Sequence, residues 1–149
     1  MSPICLTDTT GSRILGRTAQ RGQQDAEDLG RRTILCVDDD PVVLSLQGAL
    51  LTAAGFSVIT SRNAVEGLRL FSAAVPDAVV LDYALPGMTG AALASQMRRT
   101  AGDVPLILNS GMVTVSAREA ALFDRVLPKG LAPALLVRVL REVVPFPGG

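Results

Sequence analysis

The sequence predicts an α/β protein, a doubly wound parallel sheet of five strands with helices on both faces. From Thr33 onward, short apolar runs alternate five times with longer segments of helical period, the signature of repeated β/α units. The middle runs, ILCV, AVVL and PLIL, are apolar throughout, as strands covered on both faces should be. The chain has 149 residues, 48% of them apolar and 19% charged, a globular composition sized for one domain with a real core.

Each element has its own signals. Residues 1–31 are rich in Thr, Ser, Gly, Gln and Arg and keep no apolar period. They are expected to be a flexible extension with a short helix around 23–29. The first strand, 33–38, runs into three acids, Asp38, Asp39 and Asp40, and then Pro41. Asp40 reads as a helix cap with proline at the first helical position. The helix over 41–54 carries no charge. The stripe Val43, Leu46, Leu50 and Ala54 is expected to face the core, leaving Val42, Leu44 and Leu51 exposed as a docking patch. Broader burial of this helix is the competing expectation. Gly55 stops it.

Strands are then expected at 56–60, 77–82, 104–109 and 124–128, and helices at 63–74, 90–100, 113–122 and 132–144. Pro128 cannot donate to a ladder and places the last strand at a sheet edge, and Pro133 opens the last helix. The domain is read as 32–145, with a tail over 146–149.

Composition excludes several functions. No apolar run is long enough to span a bilayer, and Ile4, Cys5 and Leu6 are too few for a signal-peptide core; a cytoplasmic location is expected. Cys36, inside a strand, reads as a small core residue. Net charge is zero without a basic block, which argues against nucleic-acid binding. There is no histidine, so histidine metal sites, Ser-His-Asp triads and a phosphohistidine on this chain are excluded. Lys129 is the one lysine among fourteen basic residues, and a compact ammonium differs chemically from a guanidinium fork.

In a doubly wound sheet the loops after the strands gather in one crevice, where ligands bind. Asp38 and Asp39 end the first strand, Asp82 the third, Ser110 the fourth and Lys129 the fifth. Each alone has an ordinary reading as a cap, turn former, loop residue or surface charge. Their conjunction on one rim points to a site.

The blocks ILCVDDDP, VVLDYALPGMTG, LILNSG and VLPKG, in that order, resemble the receiver domain of two-component response regulators over 33–144. The resemblance implies a flavodoxin-like fold with strand order 2-1-3-4-5. It implies that Asp82 accepts a phosphoryl group from the phosphohistidine of a partner kinase or phosphotransfer protein. Asp38 and Asp39, with Asp82 and the backbone carbonyl of Ala84, would hold Mg²⁺, and Ser110 and Lys129 would contact the phosphoryl group. The chemistry is coherent: a carboxylate is a weak nucleophile toward an anionic phosphoryl group, and Mg²⁺ with an ammonium lowers the charge barrier. The imidazole donor must come from another protein.

Three features depart from the family pattern. The order Pro128-Lys129 replaces the common Lys-Pro. Val126 stands where an aromatic residue commonly rotates on activation. Ser110 and Lys129 are nineteen positions apart, which predicts a clipped or irregular fourth helix and an altered output surface beside it. Ala84 and Met112 occupy sites that tune hydrolysis, and neither can orient a water, so a phosphorylated form that is not short-lived is expected.

The expected function is a stand-alone phosphoacceptor regulator, because the chain ends soon after the fifth helix. It would be a monomer or weak dimer acting by protein contact or onward phosphotransfer, and an enzyme only toward its own phosphoryl group. Two readings compete. One is a phosphorylation-independent protein-binding module, motivated by Val126 and the short fourth segment. The other is a Mg²⁺-dependent aspartate-nucleophile phosphohydrolase, disfavoured because Ala84 stands where such enzymes typically place a second aspartate.

Overall fold

A computed structural model of the chain describes residues 30–111, 115–130 and 133–144. The expectations for residues 1–29, including Cys5, for Met112 and for the tail 146–149 lie outside these residues. In chain order the elements are β1 (Thr33–Val37), α1 (Pro41–Ala53), β2 (Ser57–Ser61), α2 (Ala64–Ala74), β3 (Ala78–Asp82), β4 (Ala84–Leu85), β5 (Met88–Thr89), α3 (Gly90–Thr100), β6 (Leu106–Ser110), α4 (Ala117–Ala120), β7 (Arg125–Pro128) and α5 (Pro133–Val143). The main sheet has the order β2-β1-β3-β6-β7, with each neighbouring pair parallel. This is the expected 2-1-3-4-5 order, with β6 and β7 as the fourth and fifth strands. β4 and β5 form a separate antiparallel ribbon.

Strand alternation sends successive side chains to opposite faces, and the core divides accordingly. On one face Leu35, Val37, Val79, Leu81, Leu106 and Leu108 pack with Phe71 of α2 and with Leu93 and Met97 of α3. On the other, Ile34, Cys36, Ala78, Val80 and Ile107 pack with Leu44 and Leu51 of α1 and with Leu136 and Leu140 of α5. β3, central in the sheet, is buried at every position. Fully burying side chains of this size stabilises the fold by about 1.5–3 kcal/mol each. A one-residue slip of a strand would exchange the two sets.

The first helix corrects the expectation. Its buried positions are Leu44, Gln47 and Leu51, whereas Leu46 is 67% exposed. Leu44 and Leu51, expected outside, face the sheet; Val43 and Leu50 flank that face, half-buried. Only Val42 is exposed as expected. An uncharged helix has no polar face to set its rotation, and Gln47 sits within the true apolar stripe and disguises it. The rotation is decided by packing against Ile34, Phe56 and α5 in the same cluster.

The boundaries follow local chemistry. Asp40 accepts the Val42 N–H at 2.9 Å and caps α1, with Pro41 in its first turn. Gly55, at φ 103°, supplies the left-handed turn after the helix. β7 lies at the sheet edge and ends on Pro128. α4 has only four residues, closed by a capping box between Ser116 and Glu119, which agrees with the clipped helix predicted from the Ser110–Lys129 spacing. Among the described residues, no helix is long and apolar enough to cross a membrane.

Candidate functional site

Four strands, β1, β3, β6 and β7, deliver side chains to one rim. The apolar length of β1 ends at Val37, so Asp38 is the first residue past the ladder, and it is held there by its N–H to the Ser61 carbonyl at 3.1 Å. Asp38 remains almost fully buried, and its Oδ1 accepts the Asp40 N–H at 3.0 Å. Asp39 is exposed, and its carbonyl accepts from the Arg62 guanidinium at 3.3 and 3.4 Å. Asp82, buried, is the last residue of β3. Ser110, also buried, is the last of β6; its carbonyl accepts the Lys129 N–H at 2.6 Å, so the serine positions the lysine backbone. Lys129 Nζ then lies 2.7 Å from Asp38 Oδ2 and 3.2 Å from Asp82 Oδ1. The ammonium bridges two carboxylates that come from different strands.

The loop after Asp82 is shaped by two glycines. Gly87, at φ 77°, closes the β4–β5 turn. Gly90 returns to the site, where its N–H meets the Tyr83 carbonyl at 2.6 Å. A Cβ on Gly90 would collide with the Asp82 carbonyl, so this contact requires glycine. Ala84, exposed, opens the ribbon on the same rim.

Charge is unbalanced here. Asp38, Asp39 and Asp82 can place one oxygen each within 4.8 Å of the others, against the single ammonium of Lys129. Unit charges at that separation repel by about 3–4 kcal/mol at an effective dielectric of about 20. Burial, reinforced by the charge of Asp38, raises the Asp82 carboxyl above its ordinary range, although Lys129 and the Tyr83 N–H act the other way. Burial also works against the charge of Lys129, but hydrogen bonding and attraction to Asp38 and Asp82 outweigh it and hold the ammonium protonated. The same acid cluster touches Cys36: burial, and then Asp38, push its thiol up to about 12, which makes it inert and supports its reading as a core residue.

The donor set fits Mg²⁺. That ion prefers hard oxygen ligands, retains several waters, and binds through one or two carboxylates plus phosphate oxygens. The cluster offers carboxylate oxygens on a partly open rim, and its excess negative charge is what a divalent cation would offset. The lysine suits its position because a point charge can serve two separate carboxylates, whereas a guanidinium fork prefers one planar partner.

Beside Lys129 a cavity of about 450 Å³ opens between α1, β7 and α5, lined by Val43, Leu46, Gln47, Leu127 and Leu136 among others. Gln47 Oε1 is buried without a hydrogen-bond partner. Val126, at the expected position on β7, is 43% exposed. Sequence reasoning found Asp38, Asp39, Asp82, Ser110 and Lys129. It did not single out Tyr83, whose hydroxyl donates to Glu119 Oε2 at 2.8 Å; its only signal was its place next to Asp82. It also passed over Gly90, which the Thr89-Gly90 helix start could have flagged.

A family model described as "Response regulator receiver domain" matches residues 34–141. The response regulator MprA of Mycobacterium sp. (strain KMS) is 36% identical over 114 residues, covering 74% of this chain and 50% of the relative. MprA of Mycobacterium leprae is also 36% identical, with the same coverage. The chain therefore spans about half the length of the curated relatives it matches. Among solved structures, TrrA of Thermotoga maritima, determined in complex with Mg²⁺-BeF, has a TM-score of 0.71 at 26% identity, covering 75% of this chain and 98% of that one. A response regulator receiver domain from Methylobacillus flagellatus has a TM-score of 0.71 at 26% identity, covering 76% of this chain and 98% of that one.

Proposed function

The chain belongs to the response regulator receiver domain family of two-component systems, and from that premise we propose that it is a phosphoacceptor, with Asp82 as the residue phosphorylated by a partner histidine kinase or phosphotransfer protein. The observation that carries this reading is the Lys129 ammonium bridging Asp38 and Asp82 at 2.7 and 3.2 Å, with Asp39 in the same cluster. In the transfer a carboxylate oxygen of Asp82 forms the new P–O bond. The P–N bond to the donor imidazole breaks, and its electron pair stays on nitrogen. Asp39 and Asp82, with the Ala84 carbonyl as a further ligand and Asp38 orienting through water, would hold Mg²⁺, which would supply charge neutralisation to the phosphoryl oxygens. Lys129 adds a second positive charge, and Ser110 offers a hydroxyl to the transferred group. Positioning and electrostatics are most of what phosphoryl transfer requires.

The uncharged α1, with exposed Val42 and Leu46 beside the apolar cavity that borders Lys129, supports docking of the donor protein on this face. The receiver unit is read as 32–145, acting in the cytoplasm by protein contact or onward phosphotransfer. Ala84 cannot orient an attacking water, so the acyl phosphate should outlast seconds without an added phosphatase.

Labelling of the full chain by a small-molecule phosphoryl donor with Mg²⁺ tests the assignment: wild type is expected to take up label and Asp82→Asn none. Equal uptake by the variant would overturn it. One observation favours a second reading, a binding module that ignores phosphorylation: Val126 presents a short, half-exposed side chain on the strand that carries Lys129. Partner affinity that is the same for labelled and unlabelled protein would establish that reading instead.

A further inference from the structure

Gln47 is out of place on α1. The helix buries three side chains, Leu44, Gln47 and Leu51, against an apolar cluster that includes Ile34, Phe56, Leu136 and Leu140. Gln47 is 8% exposed, and its Oε1 is buried without a hydrogen-bond partner. A buried polar atom that gains no partner keeps the full cost of leaving water, and such atoms are rare in folded proteins. A leucine here would avoid that cost and complete the stripe. The packed neighbours give no reason for an amide. The cavity of about 450 Å³ that Gln47 lines does give one.

That cavity has the make-up of a small-molecule site. Its volume lies within the range of about 300–1,000 Å³ typical of such sites, which are mostly apolar with few polar groups. Val43, Leu46, Leu50, Leu127 and Leu136 supply apolar wall, and Gln47 and Asn109 supply two side-chain amides. Among the described residues no carboxylate lines it, and the one cation in the lining, Lys129, is already engaged by Asp38 and Asp82. A charged ligand would be buried there without a counter-charge, so the occupant is neutral. It must also bring a donor for Gln47 Oε1. A hydroxyl does so with a single polar atom, whereas a carboxamide would bury a second one against the leucines.

We propose that this cavity binds a small neutral alcohol or phenol, its apolar body against Leu127 and Leu136 and its hydroxyl donating to Gln47 Oε1. The inference goes beyond the phosphoacceptor reading and does not depend on it. The cavity wall includes Leu127, Pro128, Lys129 and Gly130, so an occupant packs against the segment that carries the bridging ammonium.

Two probes that differ by one donor test this on the full chain: 4-methylphenol and its methyl ether, 4-methylanisole, each titrated against the backbone amide NMR signals. In wild type the phenol is expected to bind about ten-fold more tightly than the ether, the ordinary penalty for leaving one buried polar group unmatched. The amides of Gln47, Leu127, Lys129 and Gly130 should move. Gln47→Leu replaces the amide by an apolar side chain of similar size, so it should fold at least as stably, and its preference for the phenol should fall to about two-fold or less. Leu46→Trp, at an exposed position of the lining, should weaken both probes by narrowing the cavity, and it keeps the test open if Gln47→Leu does not fold. Equal affinity of the two probes for wild type, or a preference that survives in Gln47→Leu, would overturn the inference, because Gln47 would then play no part. Unchanged binding in Leu46→Trp, or movement confined to amides outside the lining, would place the probes elsewhere and overturn it as well. If neither probe binds, the cavity belongs to water or to a side chain of a docking protein, and the inference falls.

Discussion

At the end of the sheet where β6 begins, Arg98 meets Asp124; at the opposite end, Lys129 meets Asp38 and Asp82. The two arrangements use the same chemistry. Arg98 donates to Asp124 at 2.9 Å and to the carbonyls of Leu122, Gly102 and Val104 at 2.8–3.0 Å. Asp124 also accepts the Leu106 N–H at 2.8 Å. Burial works to raise the Asp124 carboxyl, but the Leu106 N–H and Arg98 outweigh it and hold it below the ordinary range. At Lys129 one cation serves two buried carboxylates with a third nearby, and Asp82 is pushed the other way. An aspartate beside a cation is therefore no mark of function in itself. The difference is the balance of charge: Asp124 is matched by Arg98 and the Leu106 N–H within the fold, whereas the Asp38, Asp39 and Asp82 cluster keeps an excess of negative charge over Lys129.

The sharpest way to break this contrast is Arg98→Ala. It strips donors from three carbonyls and from Asp124, and should cost about 2–4 kcal/mol in urea unfolding. Phosphoryl labelling of the folded protein should not change; a loss of labelling with little loss of stability would reverse the roles assigned to the two ends.

Lys129→Ala comes next. It leaves Asp38 and Asp82 without their cation and should destabilise by about 2 kcal/mol, less than a fully buried pair would because the lysine is partly exposed. Mg²⁺ should restore most of that loss in thermal melts, whereas a Mg²⁺-insensitive loss would mean that the carboxylates do not form a metal site.

Asp82→Asn should have the opposite sign. The folded pKa of Asp82 lies above its unfolded value, so its contribution to stability is fully present below the unfolded pKa and is lost as pH rises through the folded one. At neutral pH without Mg²⁺ the ionised group is a burden, and the amide should stabilise by about 1 kcal/mol. An unchanged melt would show that Lys129 already cancels the repulsion.

The smallest effect concerns acid. The folded pKa of Asp124 lies below its unfolded value, so its contribution is present above the unfolded pKa and is lost as pH falls through the folded one. Asp124→Asn should flatten the acid limb of the stability curve only slightly, because the side chain is 42% exposed and solvent screens it. A matching change around neutral pH would contradict the assignment.

The strand-end residues were legible because strands and their ends are marked locally. β1 and β3 are uninterrupted apolar runs closed by an acid, and β7 closes on Pro128-Lys129. The shortened α4 was legible as a spacing. The phase of α1 was not, because Leu44, Leu46, Leu50 and Leu51 leave two stripes of similar apolarity and only the neighbours on the sheet choose between them. Arg98 was not, because its partners lie on separate loops and one more arginine in an arginine-rich chain carries no signal. The bond between Tyr83 and Glu119 joins residues 36 positions apart; Tyr83 lies within the block VVLDYALPGMTG and Glu119 within none, and nothing along the chain links the two.

The five β/α units, the cap at Asp40, the lack of any histidine and the identity of the strand-end residues can all be read from the chain alone. These depend on hydrophobic period, turn chemistry and composition, all of which act between near neighbours. That one ammonium bridges Asp38 and Asp82, that α1 buries Leu44 and Leu51, and that Tyr83 reaches Glu119 are settled by the folded arrangement. Those outcomes depend on distances between strands and loops that meet only when the sheet assembles, and on burial that changes the charge preference of a carboxylate once water has been excluded.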